Sequence, residues 1–242
     1  MTSLDRAAIA WPAWFSSDGS KALRRLHALR RRRSLATSDF DKGVYGHPEV
    51  KKALWKAQHR KCAWCETKVE ARTNHVDHFR PKSRARGRDG SFSEGYWWLA
   101  YARDNLMFSC SNCNIEKGDW FPLAKGATKL RRGDDPATID EKPRLIDPSR
   151  QDPSQYLTFV RGTSGWHPAP RNKSARGRWT RDVLALDRDE LTELRADYVR
   201  DVLRPVRRRF GAAQTPKEKQ QAKHDAQALV KPDREYSLLA RE

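Results

Sequence analysis

The chain has 242 residues, and its 49 Lys plus Arg against 31 Asp plus Glu give a formal net charge of +18. This charge favours a polyanionic partner, most often nucleic acid, although a plain excess of solvated charge gives the same composition. Because no apolar run approaches transmembrane length and the first residues lack a signal-peptide pattern, we expect a cytoplasmic protein with no membrane partner.

The first predicted element is a basic arm. Residues 21 to 33 are rich in Lys and Arg, contain no acidic residue, and repeat Leu23, Leu26 and Leu29 at intervals of three. This spacing predicts a short helix with one apolar stripe. Its cationic face is either simply solvated or contacts phosphates, and the sequence favours neither reading.

A second helix is predicted over residues 48 to 60. Pro48 suits its first turn, and Val50, Leu54 and Ala57 fall on one face. Further on, the polar, Gly-rich residues 84 to 95 predict a mobile loop.

The stretch after the cysteine-containing region is predicted to be poorly ordered and then extended. Residues 124 to 143 are polar and weakly patterned, which predicts another loop. Short extended segments are expected at residues 144 to 146 and 156 to 160.

The last third is predicted to be helical. Asp187 with Glu190 resembles the start of a helix with a capping box, and Pro205 should kink or end that helix. Its apolar face is expected to hold Leu191, Leu194, Tyr198 and Val202. Thr215 with Glu218 three residues later predicts the start of a last helix. We find no catalytic pattern in this third.

The four cysteines form two pairs with C-x2-C spacing, Cys62 with Cys65 and Cys110 with Cys113. Two such knuckles complete a tetrahedral shell of four thiolates, which favours Zn²⁺. A shell with four protein ligands has no open position, so this zinc is expected to be structural. The alternative, a redox-active C-x-x-C, needs only one pair and leaves the second without a role.

Between the knuckles the chain is predicted to form a hairpin. Val76 to His78 should end one strand, with Pro81 stopping it, and Leu106 to Ser109 should form the second. A short helix is expected to open at Asn112 or Cys113 and to run through Asp119. By itself an Asp-His pair is usually a surface feature, and only its position between two knuckles points to catalysis.

The order C-x-W-C, V-D-H-F-R-P-K, D-N-L and C-x-x-C-N-x-x-K-G resembles the ββα-metal fold of HNH endonucleases, in the subgroup with a zinc at the knuckles. The sequence segments around these motifs, together with Leu145-Ile146-Asp147-Pro148, resemble those of the PtuB-like nucleases of Septu antiphage systems. The likeness is densest over residues 45 to 160. It implies an α+β fold in which a zinc-stapled HNH core is flanked by helices.

The resemblance also implies roles for individual residues. His78 would be the general base, and Asp77 with Asn114 would supply oxygen ligands to a catalytic Mg²⁺ or Mn²⁺. Asn105 would hold the loop that bears His78. Expected phosphate contacts are Arg80, Lys82 and Lys117. His75 is an accessory ligand, a phosphate contact or a plain strand residue; the last is favoured, because the spacing does not demand a role for it.

Three segments are expected: a basic helical arm (1–47), the nuclease core (48–160) and a helical region (161–242). The function implied is DNA cleavage in antiphage defence, with an ABC-type ATPase of the PtuA kind as partner. RNA is an alternative substrate, because it presents the same phosphodiester. A zinc-stapled basic module that binds nucleic acid without cleaving it is the non-enzymatic alternative.

Overall fold

The computed structural model describes residues 1–2, 4–135, 138–139 and 141–241. Within them it mixes α-helices with three two-stranded antiparallel sheets, which agrees with the predicted mixture of α and β structure. The helices are α1 (Phe15–Arg30), α2 (Lys42–Tyr45), α3 (Pro48–Ala57), α4 (Ser111–Lys117), α5 (Ala175–Val183), α6 (Asp189–Tyr198), α7 (Arg204–Ala212) and α8 (Pro216–Leu229). The strands are β1 (His75–His78), β2 (Arg84–Arg86), β3 (Phe92–Glu94), β4 (Leu106–Ser109), β5 (Leu157–Arg161) and β6 (Trp166–Pro170).

Both predicted N-terminal helices are present. α1 begins six residues before the predicted arm, at Phe15, and buries Leu26 completely, whereas Leu23 and Leu29 are only half-buried. α3 begins at Pro48, as predicted, because the His47 ring accepts a hydrogen bond from the Glu49 backbone at 3.3 Å and caps its first turn.

The hairpin between the knuckles is formed by β1 and β4, as predicted. Asp77 lies opposite Met107, and Val76 lies opposite Phe108. α4 follows directly, and its N-cap is Cys110, whose sulfur accepts from the Cys113 backbone. The helix therefore starts slightly earlier than predicted, and it also ends earlier, at Lys117.

Residues 84 to 95 are not a loop throughout, so that prediction is wrong in part. β2 and β3 pair across a turn, with Arg84 opposite Glu94. Contacts from outside the hairpin fix it, because the Arg86 amide donates to the Asp119 carbonyl at 2.7 Å and the Phe121 amide donates to the Arg86 carbonyl at 3.0 Å. Such long-range backbone pairing leaves no local signal in a polar sequence.

The predicted extended segment at residues 144 to 146 is also wrong, because the chain bends there and pairs with no strand. Its apolar side chains explain the error, since Leu145 and Ile146 are fully buried without strand pairing. The second expected segment exists as β5, and it pairs with β6, which the sequence did not predict. Over 124 to 143, the described residues form neither a helix nor a ladder, as expected of a loop.

The C-terminal third differs in detail from the prediction. α6 has no side-chain cap, and Leu194 is 39% exposed instead of facing the core. The helix does not stop at Pro205; a π-helical turn over Val199–Leu203 leads into α7, where Pro205 occupies the first turn. α8 begins at Pro216, directly after the predicted N-cap Thr215, and Glu218 completes the predicted capping box.

Side chains from all three predicted segments enter one hydrophobic core. Leu4 and Leu26 from the first segment, Trp64 and Phe108 from the second, and Leu191 from the third belong to the same buried cluster. The division at residues 47 and 160 stays a prediction about folding units. In the described part of the chain, no helix has the length and apolar character that crossing a bilayer requires.

Candidate functional site

The four cysteine sulfurs form a compact buried cluster. All four Sγ atoms lie within 4.8 Å of one another, and those of Cys65 and Cys110 are 3.9 Å apart. Zinc–sulfur bonds of about 2.3 Å place the corners of a tetrahedral shell about 3.8 Å apart. The knuckles therefore fit a metal ion such as zinc, in agreement with the spacing in the sequence.

Neighbouring side chains suit a negatively charged metal–thiolate centre. Both terminal guanidinium nitrogens of Arg188 lie 3.7 Å from the Cys113 sulfur. The Thr67 hydroxyl lies 3.3 Å from the Cys65 sulfur and 3.0 Å from the Tyr236 hydroxyl. Four thiolates and one Zn²⁺ leave excess negative charge, which the Arg188 guanidinium can offset and these donors can orient.

The C-terminal segment packs directly against the first knuckle. The carboxylate of Glu66 accepts hydrogen bonds from the Ser237 hydroxyl at 3.0 Å and from the Leu238 amide at 3.2 Å. It also lies 3.7 Å from the ammonium group of Lys61, and both side chains are buried. Glu66 is thus a buried anchor for the end of the chain.

A cavity of about 920 Å³ is lined by the residues of strand β1 and by several residues between positions 37 and 51. Asp77, His78 and Asn114 all line it, and so does His75. β1 supplies the first two, and α4, whose start is fixed by Cys110 and Cys113, supplies Asn114. The structure therefore brings together three of the four residues expected to be catalytic.

Asp77 is held from two directions. Its Oδ2 accepts a hydrogen bond from the indole nitrogen of Trp64 at 2.9 Å, and its Oδ1 lies 3.4 Å from the ammonium group of Lys117. All three side chains are buried. A carboxylate can accept about four hydrogen bonds, so lone pairs remain for a further ligand.

His78 is oriented by the backbone. Its Nε2 lies 2.9 Å from the carbonyl oxygen of Ala100, and a carbonyl can only accept, so Nε2 carries the proton. The Tyr45 ring packs against it in a T-shaped contact, with 4.8 Å between ring centroids. Burial, followed by the charge of Lys82, holds the pKa of His78 well below its usual value. The ring is therefore neutral at pH 7, with a lone pair on Nδ1.

Asn105 does not line this cavity and lies behind it. Its amide oxygen accepts from the Arg80 backbone amide at 2.8 Å, and its amide nitrogen donates to the carbonyls of Arg80 and Leu99 at 3.0 and 3.2 Å. It thereby ties the segment after His78 to the segment that carries Ala100.

Two of the three residues expected to contact phosphate are buried and bonded to other protein groups. Arg80 donates to Glu141 at 2.6 Å inside the core, and Lys117 donates to the His78 carbonyl at 2.6 Å and is fully buried. These positions do not favour direct contact with a phosphate. Lys82 alone of the three lines the cavity, where its ammonium group lies 5.0 Å from the centre of the Tyr45 ring. Its role at a phosphate stays a prediction.

The sequence does not indicate the contacts of several residues at the site. Trp64 lies in the C-x-W-C motif, but nothing there predicts its bond to Asp77. Glu141, which accepts from Arg80 and from the Tyr96 hydroxyl, lies in a stretch without a pattern. Lys42 and Lys51 line the cavity, although they precede both knuckles. Pro48 marks the start of α3, but the sequence does not indicate which way the lysines of this helix face.

A second metal would find few protein ligands at the cavity. Among the described residues, the four cysteines are the only group of three or more His, Cys, Asp or Glu side chains placed to share one ion. Asp77 and Asn114 offer two oxygen donors, a set typical of Mg²⁺ sites that substrate phosphates and waters complete.

Comparison with known proteins relates the chain to Septu proteins. It is 30% identical to the Septu protein PtuB of Bacillus mycoides (strain KBAB4) over 188 residues, which cover 76% of this chain and 62% of that protein. It is 26% identical to the Septu protein PtuB of Bacillus thuringiensis over 147 residues, covering 60% of this chain and 43% of that protein.

A third similarity is to the Septu protein PtuA of B. mycoides (strain KBAB4), 29% identical over 138 residues, which cover 56% of this chain and only 19% of PtuA. No family model and no solved structure matches. The chain spans less than two thirds of the length of each of these relatives. The chain is thus PtuB-like over about three quarters of its own length.

Proposed function

We propose that this protein is a metal-dependent HNH-type endonuclease and the nuclease component of a Septu-type antiphage system. The observation that carries the proposal is the convergence of Asp77, His78 and Asn114 on one cavity beside a buried four-cysteine cluster. The order of strand, strand and helix around them, β1, β4 and α4, is the order that the HNH resemblance implies.

The residues have chemistry suited to phosphodiester hydrolysis. His78 is neutral and oriented, so Nδ1 can take the proton of an attacking water while Nε2 stays bonded to Ala100. Asp77 and Asn114 would hold the divalent ion, which when bound offsets the charge that develops on the phosphate and the leaving oxygen. Trp64 and Lys117 keep the Asp77 carboxylate in place.

Cleavage by purified protein tests this assignment. Wild type with Mg²⁺ or Mn²⁺ should cut DNA, and His78→Ala should lower the rate by about 100-fold or more, the usual size of a general-base effect. Zinc content and thermal unfolding should stay unchanged. His224→Ala serves as the matched control, because His224 is exposed on α8. Equal cleavage by His78→Ala and wild type would remove His78 from the mechanism.

The substrate and partner are part of the same test. Parallel reactions with DNA and RNA of one sequence distinguish the two substrates. The similarity to PtuB motivates adding an ATPase of the PtuA kind, since a component of a two-protein system can be silent alone. Salt-sensitive binding that never leads to cleavage, with or without that partner, would favour the non-catalytic binding module.

A further inference from the structure

The cavity that holds Asp77 and Asn114 extends to lysines outside the cysteine-containing region. Lys42 from α2 and Lys51 from α3 line it, and neither forms an ion pair within the described residues. The ammonium group of Lys51 only donates to the Arg72 carbonyl at 3.4 Å. Lys42 and Lys51 are thus cations that lie on one wall of the cavity and have no carboxylate partner among the described residues.

The carboxylates of the cavity do not compensate for them. Asp77 is paired with Lys117, and Asp119 is bonded to Arg84 at 2.6 Å. Positive charge is therefore in excess on the wall formed by α2 and α3.

The excess of positive charge acts on Lys51 itself. Burial, followed by the charge of Lys42, lowers the pKa of Lys51. A bound anion would relieve this mutual repulsion.

We propose that Lys42 and Lys51 form a phosphate subsite for a nucleic-acid strand whose neighbouring phosphodiester lies at Asp77, His78 and Asn114. This rests on the proposed function for the identity of the neighbouring group. Lysines act as point charges toward phosphate and read no base, so the subsite holds the backbone without sequence preference.

The size of the cavity defines what enters it. A volume of about 920 Å³ is at the upper end of pockets that enclose small ligands. A short length of one strand fits such a space, whereas a duplex does not. Lys42 and Lys51 would thus align a single strand, or one strand drawn out of a duplex, across the site.

The binding test uses the full chain and a short fluorescent single strand, as DNA and as RNA of the same sequence. Affinity is measured over a salt series without divalent metal, for wild type, Lys42→Gln, Lys51→Gln and the double variant. Each lost phosphate contact on a single strand should flatten the dependence of log affinity on log salt by about 0.7. In the double variant, the slope of log affinity against log salt should therefore be shallower by about 1.4.

Two controls separate the subsite from general charge. Lys52→Gln removes an exposed lysine next to Lys51 that does not line the cavity, and it should change the slope much less. The double variant Lys42→Arg with Lys51→Arg keeps both charges, so its affinity should depend on salt almost as steeply as that of wild type. An unchanged slope in the double Gln variant, an equal loss in Lys52→Gln, or no binding by wild type would overturn the proposal.

A cleavage assay then separates this inference from the proposed function. The double Gln variant should raise KM about 10-fold with kcat within about twofold, because it removes binding that the ground and transition states share. If His78→Ala abolishes cleavage while the lysine variants keep the wild-type slope, the nuclease stands and the subsite does not. If the slopes change but no metal supports cleavage, the subsite stands and the nuclease does not.

Discussion

The indole nitrogen of Trp64 donates a 2.9 Å hydrogen bond to Oδ2 of Asp77. Trp64 lies inside the first knuckle, between Cys62 and Cys65, and it is completely buried. Trp64 thereby connects the cysteine cluster directly to the cavity. From the other side, α4 begins at the second knuckle and ends at Lys117, which contacts the same carboxylate.

Replacing Trp64 with Phe should separate zinc binding from activity. Phe keeps an aromatic ring but loses the donor to Asp77, and loss of a group that orients a metal ligand typically costs 10- to 100-fold in metal affinity or activity. We expect zinc content to stay at the wild-type value, and half-maximal cleavage to need about 10-fold more Mg²⁺ or Mn²⁺. Titration of cleavage against metal concentration measures this shift.

Trp97→Phe is the control for that variant, because Trp97 is also buried but contacts His27 instead of the site. It should unfold at a lower temperature without changing the metal requirement. An identical metal titration for Trp64→Phe and wild type would show that the hydrogen bond does not position Asp77.

Lys117→Met should destabilise the fold strongly. It leaves the buried Asp77 carboxylate without its cation and the His78 carbonyl without its donor, and breaking one side of a buried pair costs about 3–5 kcal/mol. Lys56→Met, at an exposed position on α3, should change the free energy of unfolding by less than about 0.5 kcal/mol. Urea unfolding of zinc-loaded protein measures both.

The double variant Asp77→Asn with Lys117→Met completes the cycle. Removing the negative charge should recover part of the loss, with a coupling of about 1–3 kcal/mol. If the double variant is destabilised by the sum of the two single changes, the contact between Asp77 and Lys117 contributes no coupling.

Loss of the zinc ligands should unfold the site, whereas loss of Asp77 should not. Cys113→Ala removes a thiolate at the start of α4, so we expect less than one zinc per chain by elemental analysis and a broadened thermal transition. Asp77→Asn should keep one zinc per chain and a cooperative transition. A Cys113→Ala protein that keeps both the wild-type transition and its activity would mean that the cluster is not a structural metal site.

Arg188 should slow the release of zinc. Its guanidinium lies 3.7 Å from the Cys113 sulfur, and Met at this position would leave the excess thiolate charge without that cation. We expect Arg188→Met to transfer zinc to a chromogenic chelator about 10-fold faster than wild type, by analogy with other groups behind metal ligands.

Arg188→Lys keeps the charge and should release zinc at an intermediate rate. Arg181→Met, a change of an arginine on α5 that pairs with Asp182 and Asp187, should leave the rate unchanged. Equal rates for Arg188→Met and Arg181→Met would exclude a specific role for Arg188.

Local patterns in the sequence determined the elements that depend on local chemistry. The C-x2-C spacing predicted the cysteine cluster, because two residues between cysteines suffice to turn both sulfurs to one side. The capping box at Thr215 and Glu218 predicted the start of α8, because its hydrogen bonds join residues three apart. β4 was likewise visible as a short apolar run, and Pro81 marked the end of the strand that carries His78.

Only the tertiary structure decided which charged side chains face the cavity. Arg80 and Lys117 lie within the motifs and were expected at phosphates, but Glu141 and Asp77 pair with them in the interior. Lys42 and Lys51 lie outside the motifs and line the cavity, because the packing of α2 and α3 directs them there.

The physical reason is that an ion pair or a hydrogen bond between distant residues leaves no periodic trace. The bond from Trp64 to Asp77 spans 13 residues, and the contact of Arg80 with Glu141 spans 61. The sequence by itself thus determined the cysteine cluster and the hairpin that carries Asp77 and His78. Folding decided what holds Asp77 in place and which lysines remain available to an anion.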